Sequence, residues 1–314
     1  MTPAASSASV GFLGPEGTFT EQALLTQPDL AAGDLRPLAS IPDVLAATKA
    51  GDVDYGFVAI ENSIEGTVNV TLDTLAFEPD GLLIQREVVI SIQLNLLGRP
   101  GASLDEVKQV ISFPHAAAQC RAFLAERRPG ARTEASNSTA EAARLAGEAD
   151  DPAVAAIGTA LAGELHGLEV LESDVEDHPE NQTRFLLMAR DRIPAPTGHD
   201  KSTVVIFQRA DRPGSLLAIL QEFAARAINL TKLESRPTKK GLGDYCFIID
   251  FEGHLDDELV ADCLRDLRSK QGDVRYLGSY PAAGEHGPSA RDDAGAAWQQ
   301  ADEWLNELRG KLER

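Results

Sequence analysis

Three short polar clusters in this sequence carry side chains whose types and spacing could do chemistry. Asn181-Gln182-Thr183-Arg184-Phe185 leads into an apolar run that ends at Ala189. A guanidinium such as Arg184 can fork onto a carboxylate, and the neighbouring Thr183 hydroxyl can donate a hydrogen bond to a leaving oxygen; a surface ion pair is the competing assignment for Arg184. Glu61-Asn62-Ser63, followed by Gly66-Thr67-Val68-Asn69, closes the apolar run Tyr55 to Ile60. Polar residues there either line a ligand crevice beyond the carboxyl ends of a sheet's strands or simply close a turn, and their chemistry weighs the two equally. Gly14-Pro15-Glu16-Gly17-Thr18-Phe19-Thr20-Glu21 directly follows the first apolar run. Such a strand–turn–helix presents backbone N–H groups where a carboxylate could bind. A plain βα turn explains the same residues and is favoured on chemistry alone. Gln119 and Cys120, taken singly, read as ordinary helix residues.

Other chemistries find no foothold. No Ser-His-Asp order, nucleophile elbow, P-loop or dinucleotide fingerprint stands out, and no two of His115, His166, His178, His199, His254 and His286 have metal-ligand spacing. A reaction without metal or cofactor is therefore expected. The cysteines, Cys120, Cys246 and Cys263, are odd in number and lack C-x-x-C spacing, which fits a reducing cytosol rather than a disulfide framework. With 49 acidic and 29 basic residues the formal charge is -20, which argues against a nucleic-acid partner. An anionic substrate would have to be held by local donors against that overall field. The first nine residues resemble no signal peptide and no run approaches a membrane span, so a cytoplasmic protein without membrane contact is expected.

The elements that must position these clusters are legible from patterning. Between Val10 and about Ala189, short apolar runs alternate with helical patterns, the signature of an α/β sheet. Val10 to Leu13, Tyr55 to Ile60, Val110 to Ser112 and Val154 to Ile157 read as buried strands. Ser40 with Asp43, and Ser138 with Glu141, have the spacing of helix starts, and Gly51 and Gly147 mark the expected ends. Pro194, Pro196 and Gly198 interrupt the pattern between Ile193 and Asp200 and set the main domain boundary. Beyond it the order is strand (Val204 to Arg209), helix (Ser215 to Ala225), two strands (Asn229 to Arg236, Tyr245 to Glu252), helix (Asp256 to Lys270) and strand (Val274 to Tyr280). That βαββαβ order is the ferredoxin-like unit. A tail from Pro281 ends in a helical pattern with Ala301, Trp304, Leu305, Leu308 and Leu312 on one face, suited either to docking or to a solvated end.

Taken in order, Gly14-Pro15-Glu16-Gly17-Thr18, Glu61-Asn62-Ser63, Gln119-Cys120, Asn181 to Phe185 and Glu234-Ser235-Arg236-Pro237 resemble the prephenate dehydratase family with its C-terminal ACT domain. The resemblance spans about Val10 to Pro281. It implies an α/β catalytic domain over 10–192 with the bilobal, periplasmic-binding-protein-like architecture, lobe one being 10–86 with 171–192 and lobe two 87–170. A linker (193–200), an ACT regulatory domain (201–281) and a tail (282–314) follow. It implies Thr183 as the essential hydroxyl, Arg184 beside it, and supporting polar roles for Asn62 and Gln119. Gly17, Thr18, Ser63, Gly66, Thr67 and Phe185 fall at the expected substrate site, Arg184 and the loop amides holding the carboxylates of prephenate. Gly214, Ser215, Leu216, Asn229, Leu230, Glu234, Ser235, Arg236 and Pro237 fall on the walls of a phenylalanine site formed between paired ACT domains, which implies a homodimer or homotetramer. Where the family often reads Ser-His-Pro-Gln, this chain has Ser112-Phe113-Pro114-His115, and no role follows for His115. The implied activity is decarboxylating dehydration of prephenate to phenylpyruvate, inhibited by phenylalanine. The rival readings are an arogenate dehydratase and a non-catalytic amino-acid sensor, and an intact Thr183-Arg184-Phe185 argues against the sensor.

Overall fold

The computed structural model describes residues 8–78, 81–208, 212–239, 241, 244–284, 300 and 303–311. It divides into two compact units, one holding the residues up to Leu72 with Val88–Met188, the other Asp73–Glu87 with the residues from Ala189 onward.

In the first unit the apolar runs become buried strands. Ser9–Leu13 lies between Asp34–Leu38 and Tyr55–Asn62, parallel to both. Gln182–Arg190 returns antiparallel beside Tyr55–Asn62, and Leu82–Ser91 closes a six-stranded sheet that also carries the short strand Gly66–Thr67. Val10, Phe12, Ala23, Leu24, Phe57, Val88, Phe185 and Leu187 make its core, burial being the dominant stabilisation of such a layer. A second, five-stranded sheet runs in the order Glu169–Glu172, Asn95–Gly98, Val154–Gly158, Gln109–Ser112, Arg132–Ala135. It has cores of its own, and Phe19, which follows the first strand of the six-stranded sheet, packs against one of them. The expected lobe boundaries, 86/87 and 170/171, fall inside strands Leu82–Ser91 and Glu169–Glu172.

Helix starts follow their caps. Ser40 accepts from the Asp43 N–H ahead of helix Ile41–Ala50, Ser138 accepts from the Glu141 N–H ahead of Thr139–Glu148, and Gly51 ends the former in a left-handed conformation. The expected stop at Gly147 is corrected: that helix runs through it to Glu148. Gly147 serves close packing instead, since a Cβ there would meet the His166 carbonyl at 2.7 Å.

The second unit contains an antiparallel sheet in the order Leu230–Pro237, Tyr245–Glu252, Asp200–Phe207, Asp273–Pro281. Helices Ser215–Ala224 and Glu258–Lys270 are packed over Val204, Ile206, Phe223, Ile249 and Phe251, which realises the βαββαβ expectation. A sheet with helices on one face must still bury the other. Residues 73–86, placed in lobe one by the resemblance, and Glu87, placed in lobe two, pack within this unit: Phe77 meets Phe207 edge-on, the Ile84 carbonyl lies 2.8 Å from where a Gly278 Cβ would be, and the buried Glu87 carboxylate accepts from Lys201 Nζ at 2.8 Å. Residues 303–309 are helical with Trp304, Leu305 and Leu308 exposed; Ala301 and Leu312 of the expected apolar face lie outside the described residues. Among the described residues no helix is long and apolar enough to cross a membrane.

Candidate functional site

Asn62 ends its strand directly opposite Thr183, in register across the antiparallel pair. Because successive residues of a strand face opposite sides, Asn62 and Thr183 share one face while Glu61 and Arg184 share the other. Turn chemistry fixes the Asn62 amide. Its Oδ1 accepts the backbone N–H groups of Ile64 and Glu65, each at 2.9 Å, so Nδ2 must be the end turned to the site. Both of its protons are used: Nδ2 donates to Asn181 Oδ1 at 2.8 Å and to Thr183 Oγ1 at 2.9 Å. Thr183 is the acceptor in that bond, so its own proton remains available as a donor.

The same logic propagates outward. With Asn181 Oδ1 accepting, Nδ2 donates to Gln119 Oε1 at 3.1 Å. Gln119 lies on the short helix Pro114–Gln119 of the other lobe and turns its Nε2 to Glu65 Oε1 at 3.2 Å. The second Glu65 oxygen faces His115 Nδ1 at 3.1 Å. An oriented chain thus runs from Thr183 through Asn62, Asn181 and Gln119 to Glu65 and His115, crossing from one lobe to the other. Ser63 locks its near end, donating its backbone N–H to the Gln182 carbonyl while its Oγ accepts the Gln182 N–H at 2.9 Å. Thr183 and Asn181 are buried. An unmet polar atom there would be costly, which is why the chain must close on itself.

A family model described as prephenate dehydratase matches residues 10–193, and a model of the ACT domain matches 203–269. The chain belongs to the prephenate dehydratase family. The prephenate dehydratase of Mycolicibacterium gilvum is 43% identical over 317 residues, covering 96% of this chain and 98% of that one. Prephenate dehydratase from Arthrobacter aurescens, solved in complex with L-Phe, superposes with a TM-score of 0.88 at 40% identity over 96% of this chain and 99% of its own. The solved structure of GqqA, described as a novel type of quorum quenching acylase, shares the fold at TM-score 0.77 and 29% identity, over 88% of this chain and 98% of its own. These matches make the chain a hydro-lyase by family. Burial pushes the Cys120 thiol beside Gln119 up to about 12, away from the range of a reactive thiolate.

Several site residues expected from sequence lie elsewhere. Phe185 is corrected from substrate contact to core: it is fully buried and stacked on Phe57 at 5.2 Å. Arg184 faces away from Thr183 by strand alternation and lies 3.8 Å from Glu61, the ion-pair alternative. Part of the expected amide cradle is committed elsewhere. The Gly17 N–H is donated to Glu21, Gly14 N–H to the Leu38 carbonyl, and Ile64 and Glu65 N–H to Asn62. Gly17 is instead a contact between lobes. Its carbonyl accepts from Thr159 Oγ1 at 2.7 Å, and with φ +84° and Ala162 at 3.0 Å from a Cβ position, only glycine fits. Thr18 caps helix Phe19–Leu25, and Gly66 and Thr67 form the short strand paired with Asn62 and Glu61.

In the ACT unit, Gly214 caps helix Ser215–Ala224 at φ +86° with open space beside it, and Ser215 Oγ bonds back to Arg212. Leu216 and Leu230 flank the core, and Asn229 Nδ2 donates to Glu252. Ser235 and Pro237 are exposed on one side of their strand while Glu234 and Arg236, less exposed, alternate to the other. Arg236 also acts as a brace: its Nη2 donates to Asp73 Oδ1 at 2.7 Å. Burial opposes the Asp73 charge, but bonds from Lys239 and Arg236 outweigh it and hold that carboxyl below its ordinary value.

The residues that sequence reading missed are Asn181, Glu65 and His115. Two signals were available for the latter: Glu65 sits three residues after a turn asparagine, and His115 and Gln119 share a helix face by their spacing of four.

Proposed function

We propose that the chain converts prephenate to phenylpyruvate with Thr183 as the donor to the departing oxygen. One observation carries the reading: Asn62 donates to Thr183 Oγ1, which aims the hydroxyl and leaves its proton for substrate. In the reaction the bond from ring carbon to one carboxylate breaks, carbon dioxide departs, and the electron pair enters the ring. The carbon–oxygen bond opposite breaks with its pair leaving on oxygen, which takes a solvent proton to become water. The gain of aromaticity drives the step, so positioning and a hydrogen bond to the growing negative charge matter more than a strong base. A threonine hydroxyl is too weak an acid to hand over its proton early, so Thr183 stabilises that charge rather than acting as a general acid.

Asn62 and Gln119 hold this donor in place. Substrate contacts from Ser63, Thr67 and Thr18 are part of the same reading, with Gly17 and Gly66 shaping the loops. Arg184 contributes through Glu61 rather than by touching the reacting atoms. The division into a catalytic domain over 10–192, a linker and an ACT domain over 201–281 supports feedback by phenylalanine bound between paired ACT domains, against Gly214 to Leu216, Asn229, Leu230, Glu234, Ser235 and Pro237. The complex of the Arthrobacter relative with L-Phe supports this. The protein then works as a homodimer or homotetramer in the cytoplasm and needs neither metal nor cofactor.

The test is a parallel assay of pure protein with prephenate and arogenate after chelation of metals. Phenylpyruvate from prephenate at undiminished rate is the expected outcome. Turnover of arogenate alone, or of neither, overturns the reading.

A further inference from the structure

Glu65 closes the chain of polar groups at the end away from Thr183, and it does so from the opposite lobe to its partners. It follows strand Tyr55–Asn62 in the six-stranded lobe, whereas His115 and Gln119 lie on helix Pro114–Gln119 of the five-stranded lobe. Both carboxylate oxygens are occupied there, one by Gln119 Nε2 at 3.2 Å and one by His115 Nδ1 at 3.1 Å. The spacing of four puts those two side chains on one helix face. The imidazole is itself oriented, its ring stacked on that of Phe113 at 5.3 Å and 27°. The two residues at which this chain departs from the Ser-His-Pro-Gln pattern, Phe113 and His115, therefore act together on Glu65.

The consequence for chemistry lies in the direction of the bonds. An amide can present either end to a neighbour, and Gln119 has no backbone partner among these contacts to choose its orientation. A carboxylate accepts only, so Glu65 forces Gln119 to present Nε2 outward and Oε1 inward, where it accepts from Asn181. A carboxylate at one end also polarises the whole series.

We propose that Glu65, held by His115 and Phe113, is a positioning residue for the reaction: from the far end of the series it holds Gln119 and Asn181 in the orientation that Asn62 sets at the near end, and so secures the setting of the Thr183 hydroxyl. This rests on the reading of Thr183 as the donor to the departing oxygen. The link to Glu65 is a hydrogen bond to a charged acceptor, which is worth more than a neutral one. The His115 link is solvent-exposed and correspondingly weak.

The experiment is steady-state turnover of prephenate by the full chain and by Glu65→Ala, Glu65→Gln, His115→Ala and the double Glu65→Ala/His115→Ala variant. Glu65→Ala is expected to lower kcat about tenfold with KM within about twofold of the parent, on the scale of one charge-assisted hydrogen bond. Glu65→Gln, which keeps an acceptor for Gln119, recovers much of that loss. His115→Ala alone costs about two- to threefold, as an exposed ion pair would, and costs nothing further once Glu65 is alanine. Glu65 and His115 are both partly solvent-exposed, so the variants should melt with the parent, and circular dichroism checks this. Unchanged kcat in a folded Glu65→Ala variant overturns the proposal, as does a loss confined to KM, an unrescued Glu65→Gln, or strict additivity of the two alanine changes. A parent chain inactive on prephenate would instead overturn the function on which the proposal rests.

Discussion

In the cleft, Asn62, Asn181, Gln119 and Thr183 hold one another by neutral amide and hydroxyl bonds, with a charge only at the far end of the series. Between the two ACT helices the arrangement is reversed. There Arg226 donates to Glu222, Asp262 and Asp266 at once, and Lys270 joins Glu222 and Asp266. Burial works against the Arg226 charge, but the bonds from Asp262, Asp266 and Glu222 more than offset it and raise its pKa. The contrast follows from what each region must do. The role proposed for the series around Thr183, meeting a substrate with two carboxylates, is served by dipoles whose direction is fixed and which bring no net charge of their own. A helix pair needs only strength, and several carboxylates around one guanidinium supply that. One region is therefore sensitive to the loss of a single oriented group and the other to the loss of a charge.

The sharpest test of that contrast is Thr183→Ala, which should lower kcat by roughly two orders of magnitude, the scale of removing one oriented transition-state donor, with a melting temperature lower by only a few degrees, from the Asn62 proton left without its acceptor. Thr183→Ser, which keeps the hydroxyl, retains substantial activity. A folded alanine variant as active as the parent would make Thr183 structural.

Arg226→Gln should do the reverse. Leaving Glu222, Asp262 and Asp266 facing one another without their guanidinium lowers stability by about 2 kcal/mol, the range of hydrogen bonds to charged groups, while turnover at temperatures below the transition is unaltered. Urea denaturation checks the first statement and an assay the second. Equal stability of the variant would show the cluster to be decoration.

A smaller effect is expected at the proposed effector site. Gly214→Val or Ser235→Ala should raise the phenylalanine concentration needed for half inhibition by about fivefold or more, within the usual range of allosteric coupling, with basal turnover within a few-fold of the parent. Inhibition that is strictly competitive with prephenate and survives deletion of everything after Arg192 would place the inhibitor in the catalytic cleft.

The sequence motifs named Thr183, Asn62 and Gln119, which the structure brings into one polar series, but gave no role to Asn181 in the same motif as Thr183. Motif position reports which residue types are available, whereas the bond from Asn181 to Gln119 depends on a helix 62 residues away in the chain. Phe185 shows the opposite error: adjacency to Thr183 and Arg184 suggested substrate contact, but the register shift between Arg184 and Phe185 breaks the alternation, and Phe185 is buried against Phe57. The bond from Arg236 to Asp73 was likewise invisible in the sequence, because it joins residues far apart in the chain.

What the sequence by itself determined was local: caps at Thr18, Ser40 and Ser138, the left-handed stop at Gly51, the buried strands, and the βαββαβ order after the Pro-Gly interruption. These depend on backbone conformation and on apolar period, both written within a few residues of where they act. The tertiary structure alone decided which amide faces which. An asparagine or glutamine side chain has a donor end and an acceptor end at nearly equal reach, and only neighbours distant in sequence choose between them. The same holds for residues 73–87, whose apolar content was legible but whose partner was not, because the face they cover is created only when the C-terminal strands pair.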